Sequence, residues 1–202
     1  MRYDRLLLLT ALLAGARPLA AQGGFLGVTS IELSTPMGDT KHFVDTGIGA
    51  GLGWEGRWTV NSHASAGFGL VFSEFSQHED GTMQFPSGAV TGNMLRQLFS
   101  QQLLATGYFY PGGRGQVRYY AGGGIGATQM DQNVNLGTQL LSKSAWHFTV
   151  APEIGAEIRS HDGFLVGVLA LRYNGAMAAG DYVGGGSRHF QNLTLRFGFG
   201  EQ

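Results

Sequence analysis

The feature that most constrains this chain is a strict alternation of side-chain character across residues 44–57, VDTGIGAGLGWEGR. The mostly apolar alternate set consists of Val44, Thr46, Ile48, Ala50, Leu52 and Trp54. The intervening set is glycine and charge, and it consists of Asp45, Gly47, Gly49, Gly51, Gly53, Glu55 and Arg57. Because successive side chains of a β-strand point to opposite faces, the segment predicts a strand with one apolar face and one polar or bare face. Its length of about 14 residues exceeds the usual 5–6 and meets the roughly 9–11 that a tilted crossing of a bilayer needs.

The first 21 residues, MRYDRLLLLTALLAGARPLAA, have the features of a secretory signal peptide. Arg2 and Arg5 precede a short apolar run, and small residues lead to an expected cleavage between Ala21 and Gln22. The apolar run is too short to cross a bilayer as a helix. A retained N-terminal anchor helix is the alternative. We therefore expect a signal peptide at 1–21 and one domain, a barrel, at 22–202.

The composition excludes several classes of protein. Glycine accounts for 34 of 202 residues and charged residues for only 13%, but 11% of the residues are aromatic, which is unlike a disordered glycine-rich chain. The chain has no cysteine, so it has neither disulfides nor thiolate metal sites. Without residues 1–21 it is mildly acidic and has no basic patch, so nucleic acid is not an expected partner.

Eight segments carry strand signals, separated by connections of alternating length. The predicted strands are 24–35, 43–58, 64–76, 97–110, 116–130, 144–159, 164–175 and 189–200. The predicted long connections are 36–42, 77–96, 131–143 and 176–188, and those between them are short. Alternate connections of an up-and-down meander lie at the same end, and short periplasmic turns opposite long extracellular loops are typical of outer-membrane barrels. The sequence therefore predicts an all-β, eight-stranded antiparallel transmembrane β-barrel.

Three further strands repeat the two-faced pattern. The sixth sets Trp146, Phe148, Val150, Ile154, Ala156 and Ile158 against His147, Thr149, Glu153, Glu157 and Arg159. The eighth sets Leu193, Leu195, Phe197 and Phe199 against Asn192, Thr194, Arg196 and Gly198. The fifth sets Val117, Tyr119, Ala121, Ile125 and Ala127 against Arg118, Tyr120, Gly122, Gly124 and Gly126. Pro152 lies inside the sixth strand and predicts a bulge or a loss of pairing there.

The polar faces carry nearly balanced charge, which predicts ion pairs inside the barrel. The candidate interior residues are Glu32, Glu55, Arg57, Arg118, Glu153, Glu157, Arg159, Arg172 and Arg196. Charges facing lipid would cost a few kcal/mol each near the midplane, whereas charges inside a narrow barrel neutralise one another. Eight strands enclose just enough room for side chains, so we expect a filled lumen. Aromatic residues near strand ends are expected to form interfacial girdles, and they are Trp54, Trp58, Tyr108, Tyr110 and Trp146.

The chain resembles the small outer-membrane β-barrel superfamily, which includes the barrel domain of OmpA, OmpX and Opa-like proteins. Two segments carry the resemblance, the glycine-rich strand RYYAGGGIGA at 118–127 and the closing strand LTLRFGF at 193–199. It covers almost the whole chain after the signal peptide as a pattern rather than as one motif. Members usually end on an aromatic residue that the assembly machinery recognises, whereas here Gly200, Glu201 and Gln202 follow Phe199.

Motifs for other chemistry are weak. Gly122 to Ala127 fits a dinucleotide-binding string but lies within a strand rather than before a helix. The six histidines show no helical metal spacing, so no metal or cofactor is expected. Some small barrels modify lipid A. His147 with Thr149 and Glu153, or His63 with Ser65, are candidate groups for such a role, and the second lies at the periplasmic turn, away from lipid A.

We therefore expect a barrel of the bacterial outer membrane with a structural or surface-binding role, in envelope integrity or adhesion, exerted through its long loops. Catalysis is not expected. Expected partners are outer-membrane lipid and lipopolysaccharide, the barrel-assembly machinery during insertion, and an unknown ligand at the loops. The alternatives are a narrow pore, a lipid A-modifying barrel enzyme and a secreted lipocalin-like barrel that binds a ligand inside.

Overall fold

The computed structural model describes residues 24–45, 47–85, 88–112, 115–136, 139–177 and 189–202. The strands are β1 (Phe25–Pro36), β2 (Gly49–Asn61), β3 (Ala64–Phe85), β4 (Gly88–Phe109), β5 (Val117–Leu136), β6 (Gln139–Arg159), β7 (Leu165–Ala176) and β8 (Phe190–Glu201), and one short helix, α1, spans Gly38–Phe43. The predicted signal peptide and most of the predicted connection 176–188 lie outside the described residues.

The eight strands close into a barrel, as predicted. Each strand pairs antiparallel with its neighbour in sequence, and β8 returns to pair with β1. The seam between β1 and β8 is in register over ten residue pairs and places Glu32 opposite Arg196. Within the described residues, no helix is long and apolar enough to cross a bilayer.

The two faces of the barrel wall have opposite chemistry. Ile31, Leu52, Ile125, Ile154 and Phe197 are among many large apolar side chains exposed on the outer face. The alternate residues point into the lumen, where Glu32, Glu55, Arg57, Glu153 and Arg196 are almost completely buried. A lipocalin-like barrel needs the reverse arrangement, with an apolar interior. The outer face is instead suited to hydrocarbon.

Two predicted long loops prove to be strands. Residues 77–85 and 88–96 belong to β3 and β4, and residues 131–136 and 139–143 belong to β5 and β6. The pairing is continuous from Ala64 opposite Phe109 up to Phe85 opposite Gly88. The prediction failed because the segment containing His78, Glu79 and Asp80 is polar, and polarity alone does not distinguish a solvated strand from a loop.

The second strand begins six residues later than the predicted start at residue 43. Residues 38–43 form α1, and β2 starts at Gly49. Val44 was expected on the outer apolar face, but it is completely buried in an apolar cluster beside Phe43. Two consecutive residues buried in the same cluster are incompatible with a strand, in which neighbours point to opposite faces.

Pro152 interrupts one of its two ladders, in agreement with the prediction. Pairing with β5 continues through Gly123 opposite Pro152, but the ladder between β6 and β7 breaks between Val150 and Glu153 and then resumes in the same register. Gly123 has φ +152°. A Cβ there would collide with the Ala151 carbonyl oxygen and the Pro152 backbone, so only glycine fits opposite this proline.

The aromatic girdle was predicted only in part. Trp58 and Trp146 are exposed on the outer face, at 37% and 60%. Tyr108 and Tyr110 are 4% and 3% exposed and point into the lumen, so their assignment to the girdle was wrong. The sequence contained this information. Tyr108 and Tyr110 are the neighbours of Phe109, which is on the outer face, so alternation places both tyrosines on the inner face.

Candidate functional site

The lumen holds a cluster of arginine and glutamate side chains contributed by six strands. Its members are Glu32 from β1, Glu55 and Arg57 from β2, Arg118 from β5, Glu153, Glu157 and Arg159 from β6, Arg172 from β7 and Arg196 from β8. All nine predicted interior residues therefore lie in one connected set of ion pairs. We call this set the lumen cluster.

Glu55 connects the two sides of the lumen cluster. Its Oε2 accepts hydrogen bonds from Arg196 Nη1 at 2.6 Å and from Arg57 Nη2 at 2.9 Å. The side chains of all three residues are 1% exposed. Arg196 Nε also donates to Ser30 Oγ at 3.0 Å.

Glu153 forms a second connection. Arg172 donates to its Oε2 at 2.6 Å, and Tyr120 donates its hydroxyl to Oε1 at 2.7 Å. Arg172 also lies 3.5 Å from Glu32 Oε1, so each carboxylate contacts more than one guanidinium. The shared contacts compensate charges that would otherwise be costly to bury.

Glu157 lies nearest the short-turn end of the lumen. Its Oε1 accepts hydrogen bonds from Tyr110 at 2.6 Å and from Arg57 at 3.0 Å. Its Oε2 lies 3.6 Å from Arg118 Nη1 and 3.5 Å from Arg159 Nη2. One carboxylate thus faces three guanidinium groups.

Tyrosine rings complete the packing around Arg57 and Arg118. The guanidinium of Arg57 lies 4.0 Å from the ring centre of Tyr108 and 5.0 Å from that of Tyr120, and Arg118 lies 4.0 Å from that of Tyr110. Cation–π contacts of this kind strengthen when water is excluded. The sequence predictions did not include these three tyrosines in the interior network.

A neutral polar layer lies on the other side of the lumen cluster. Ser34 and Thr194 hydroxyls are 2.7 Å apart, and Asn174 donates to Asn192 at 2.7 Å. Two further hydroxyl pairs join facing strands, Ser73 with Ser100 at 2.6 Å and Thr128 with Thr149 at 2.5 Å.

Beyond the polar layer, an apolar cluster covers the long-loop end of the lumen. We call it the apolar cap, and it consists of Phe43, Val44, Phe75, Met94, Leu98, Met130, Val134, Leu136, Ala176 and Phe190. All of these residues are buried, and α1 and the residue after it contribute Phe43 and Val44. The lumen is therefore filled in three layers, charged, polar and apolar.

Helix α1 is fixed to the barrel from two sides. Arg96 donates to the Phe43 carbonyl oxygen at 3.1 Å and forms an ion pair with Glu79 at 2.9 Å. On the opposite side, His189 Nδ1 lies 2.6 Å from Asp39 Oδ2. That hydrogen bond lowers the pKa of Asp39 below its usual value.

Four strands extend beyond the rest of the barrel at the long-loop end. The last β2–β3 pair is Ala50 with Glu74, and the last β6–β7 pair is Thr149 with Ala176, whereas β3–β4 and β5–β6 pairing continues for about ten more residue pairs. Outward side chains become more polar at this level, from Phe72 and Phe148 below to Glu74, Ser142 and Ser144 above, with Leu140 and Trp146 as apolar exceptions on β6. We call the extension the raised sheet.

The raised sheet has two outer edges, formed by residues 75–85 and 139–147. Among the described residues, no strand pairs with either edge. The β3 edge carries Glu79 and Asp80 and is contacted by Asp45, whose backbone N–H donates to the Gln77 side chain. Between Gln139 and Trp146, the β6 edge has Lys143 as its one charged residue, and its Leu140 is 64% exposed.

Among the described residues, both histidines considered for catalysis contact groups outside those candidate sets. His63 Nδ1 lies 2.9 Å from Ser62 Oγ, while Ser65 contacts Tyr110. His147 Nδ1 lies 2.6 Å from the Met177 carbonyl oxygen. In the part of the chain that the structure describes, no three histidine, aspartate or glutamate side chains are grouped closely enough to hold a metal ion.

Solved structures similar to this fold include those of Ail and NspA. Ail, the attachment invasion locus protein of Yersinia pestis, aligns with a TM-score of 0.52 and 14% identity over 88% of this chain and 97% of Ail. Neisserial surface protein A, NspA, aligns with a TM-score of 0.55 and 14% identity over 89% of this chain and 97% of NspA. No protein-family model matches the sequence, and no curated protein is similar to it in sequence. The fold is that of the small outer-membrane β-barrels, as the sequence resemblance predicted.

Proposed function

We propose that this protein is a surface-binding protein of the bacterial outer membrane, exported by a cleaved signal peptide, and that it binds its partner through the raised sheet. The observation that carries the proposal is the raised sheet itself. Its four strands continue beyond the apolar outer face of the barrel, so they are longer than a barrel needs to span a bilayer. The similar structures are those of an attachment protein, Ail, and a surface protein, NspA, which supports the same role.

The β6 edge of the raised sheet is the proposed contact. An unpaired edge presents backbone N–H and C=O groups to which an extended segment of a partner adds as a further strand. Charged residues at an edge oppose such pairing. The β3 edge has two adjacent charges, Glu79 and Asp80, whereas the stretch from Gln139 to Trp146 has one, Lys143, and no carboxylate. The β6 edge therefore favours strand addition.

The proposed role needs no catalysis or cofactor. In the membrane, the outer face would contact lipid and lipopolysaccharide, and insertion would require the barrel-assembly machinery. The filled lumen supports a binding role over a pore, because charged, polar and apolar layers all occupy the path through it.

Orientation is testable because the chain has no native cysteine. Ser142→Cys places a single thiol on the raised sheet and His161→Cys places one on a short turn. In intact cells, a membrane-impermeant maleimide is expected to label the first variant and to label the second only after the outer membrane is permeabilised. Equal labelling of both in intact cells, or recovery of the protein in the soluble periplasmic fraction, would contradict the membrane location.

Binding is tested with bacteria that display the protein and with cultured epithelial cells as the probe. Expression of the native chain is expected to raise adhesion. Ser144→Lys, which adds a charge at the β6 edge, is expected to reduce it several-fold. His78→Lys adds the same charge at the β3 edge and is the matched control. Adhesion that is equal with and without the protein would refute the proposal for this cell type.

A further inference from the structure

The short-turn end of the barrel contains a polar cavity of about 570 Å³. Its polar lining consists of Thr59, Asn61, Ser62, Arg118, Arg159 and Gln202. The cavity lies at the opposite end of the molecule from the raised sheet. A function for it is therefore independent of the proposed surface binding.

The charges of the lumen cluster divide unequally along the barrel. In the deeper part, Glu32, Glu55 and Glu153 are matched by Arg57, Arg172 and Arg196. At the cavity, Arg118 and Arg159 share the carboxylate of Glu157 with Arg57. The lumen cluster has five arginines and four glutamates, so its side chains carry one positive charge in excess, and Arg118 and Arg159 are the guanidinium groups that line the cavity. Low-dielectric walls of one sign focus the electrostatic field on a ligand of the opposite sign.

The two cavity arginines are accessible and hold Glu157 loosely. Their side chains are 10% and 22% exposed, whereas those of Arg57 and Arg196 are 1% exposed. Their distances to Glu157 Oε2, 3.6 and 3.5 Å, exceed normal hydrogen-bond lengths. Arg118 Nη2 donates to the Ser62 carbonyl oxygen at 3.3 Å, and Arg159 Nη1 donates to Gln202 Oε1 at 2.5 Å. Among the described residues, Arg159 Nε has no hydrogen-bond partner, so this guanidinium retains an N–H donor for a ligand.

We propose that this cavity binds the phosphate group of a small organic phosphate, with Arg118 and Arg159 as the anion ligands. Guanidinium groups match phosphate oxygens in geometry and form charge-assisted hydrogen bonds with them. The volume falls within the roughly 300–1,000 Å³ typical of small-molecule sites, so it accommodates the organic part as well. The phosphate belongs either to a soluble ester or to a phospholipid headgroup.

The experiment uses the full barrel in maltoside micelles, which contain no phosphate. Isothermal titration calorimetry with glycerol 3-phosphate, and glycerol as the uncharged control, tests the soluble source. Native mass spectrometry of retained phosphatidylglycerol, compared with diacylglycerol, tests the headgroup source. Binding of either phosphate compound over its uncharged counterpart supports the proposal and identifies the source. Failure of both to bind overturns it.

Variants assign the binding to the cavity. Arg159→Gln is expected to weaken binding at least about tenfold, since it removes hydrogen bonds to a charged group. Arg159→Lys keeps the positive charge but replaces the planar guanidinium by an ammonium group, so it is expected to retain partial affinity. It also provides a test if Arg159→Gln does not fold. Arg96→Gln removes an equal charge at the opposite end and is the control. Equal loss in Arg96→Gln and Arg159→Gln would overturn the assignment.

Discussion

Arg196 is the residue at which the charges of the lumen converge. It contacts Glu55 and Ser30 directly and lies 3.7 Å from Glu32, with a side chain that is 1% exposed. A buried ion pair is weak evidence of net stability, but removing one partner leaves the other charge buried without compensation. Replacing one charged residue of the lumen cluster should therefore lower the free energy of unfolding by more than the buried area of that side chain suggests.

We expect Arg196→Met to lower the free energy of unfolding by about 3–5 kcal/mol, because Glu55 and Glu32 lose their shared guanidinium. Urea unfolding of the barrel reconstituted in lipid vesicles measures the loss. The double variant Glu55→Gln with Arg196→Met removes both charges and is expected to regain part of it. Equal stability of the single and double variants would show that packing, rather than charge, explains the effect.

Gly53 allows the backbone of β2 to approach the lumen cluster closely. A Cβ at this position would lie 2.6 Å from both Glu32 Oε1 and Ser30 Oγ. Gly53→Ala is expected to destabilise the barrel by about 1–3 kcal/mol, as overpacking of a filled interior does. Gly47→Ala is the matched control, since a Cβ there meets nothing within 4 Å. The same urea titration measures both, and an equal effect would argue against the close approach as the cause.

Residue parity predicted most of the lumen and missed part of it for a physical reason. Glu153 and Arg196 were assigned to the interior because each alternates with apolar residues that face hydrocarbon. The hydroxyls of Tyr110 and Tyr120 both bind carboxylates in the lumen. Tyr120 was placed on the polar face of its strand, whereas Tyr110 was assigned to the membrane surface, where tyrosine is also common. Composition alone therefore does not assign a tyrosine to either place, whereas the face occupied by Phe109 does.

At the scale of elements, the sequence predicted those parts of the strands whose outer face contacts lipid. The alternation is strict in β2 and β8, because the outer face must be apolar. Above the membrane, β3 and β4 have water on one side and the apolar cap on the other, and their outward residues Ser76, His78 and Asp80 resemble a loop. The short helix α1 was missed because six residues carry too little periodicity to detect.

The raised sheet and the lumen cluster are separate in structure. We therefore expect the barrel to fold when part of the raised sheet is deleted. Replacing residues 79–94 by Asn-Gly joins His78 to Leu95, which already face each other, through a two-residue turn that suits a hairpin. We expect both the full-length barrel and the shortened protein to change mobility on a detergent gel when heated, because heating unfolds the barrel. Loss of that shift would show that the long hairpin is needed for the barrel to form. The same truncation at residues 132–143 provides a comparison within the other hairpin.

At the scale of the whole molecule, three layers obstruct any path through the barrel. An eight-stranded barrel leaves room only for side chains, and here they are arginine–glutamate pairs, hydrogen-bonded polar groups and the apolar cap. Water and ions entering the lumen would have to separate buried charges, which is costly.

We accordingly expect no sustained single-channel conductance when the purified barrel is inserted in planar bilayers at moderate voltage and 1 M salt. A variant that shortens both a cluster residue and a cap residue, Arg196→Ala with Phe190→Ala, is expected to leak where the native protein does not. Steady channels from the native protein would contradict the filled lumen and would support a pore as the function. An open porin measured in the same bilayer confirms that insertion is detectable.

The seam between the first and last strands has a consequence for assembly. Glu32 and Arg196 face each other across that seam, so their charges meet only when β8 reaches β1 in the right register. A slip by one residue would turn Arg196 toward hydrocarbon and leave Glu32 without it. Closure of the cylinder and neutralisation of its interior are therefore a single event. The seam therefore selects the correct register, because a misaligned barrel would expose charge and be less stable.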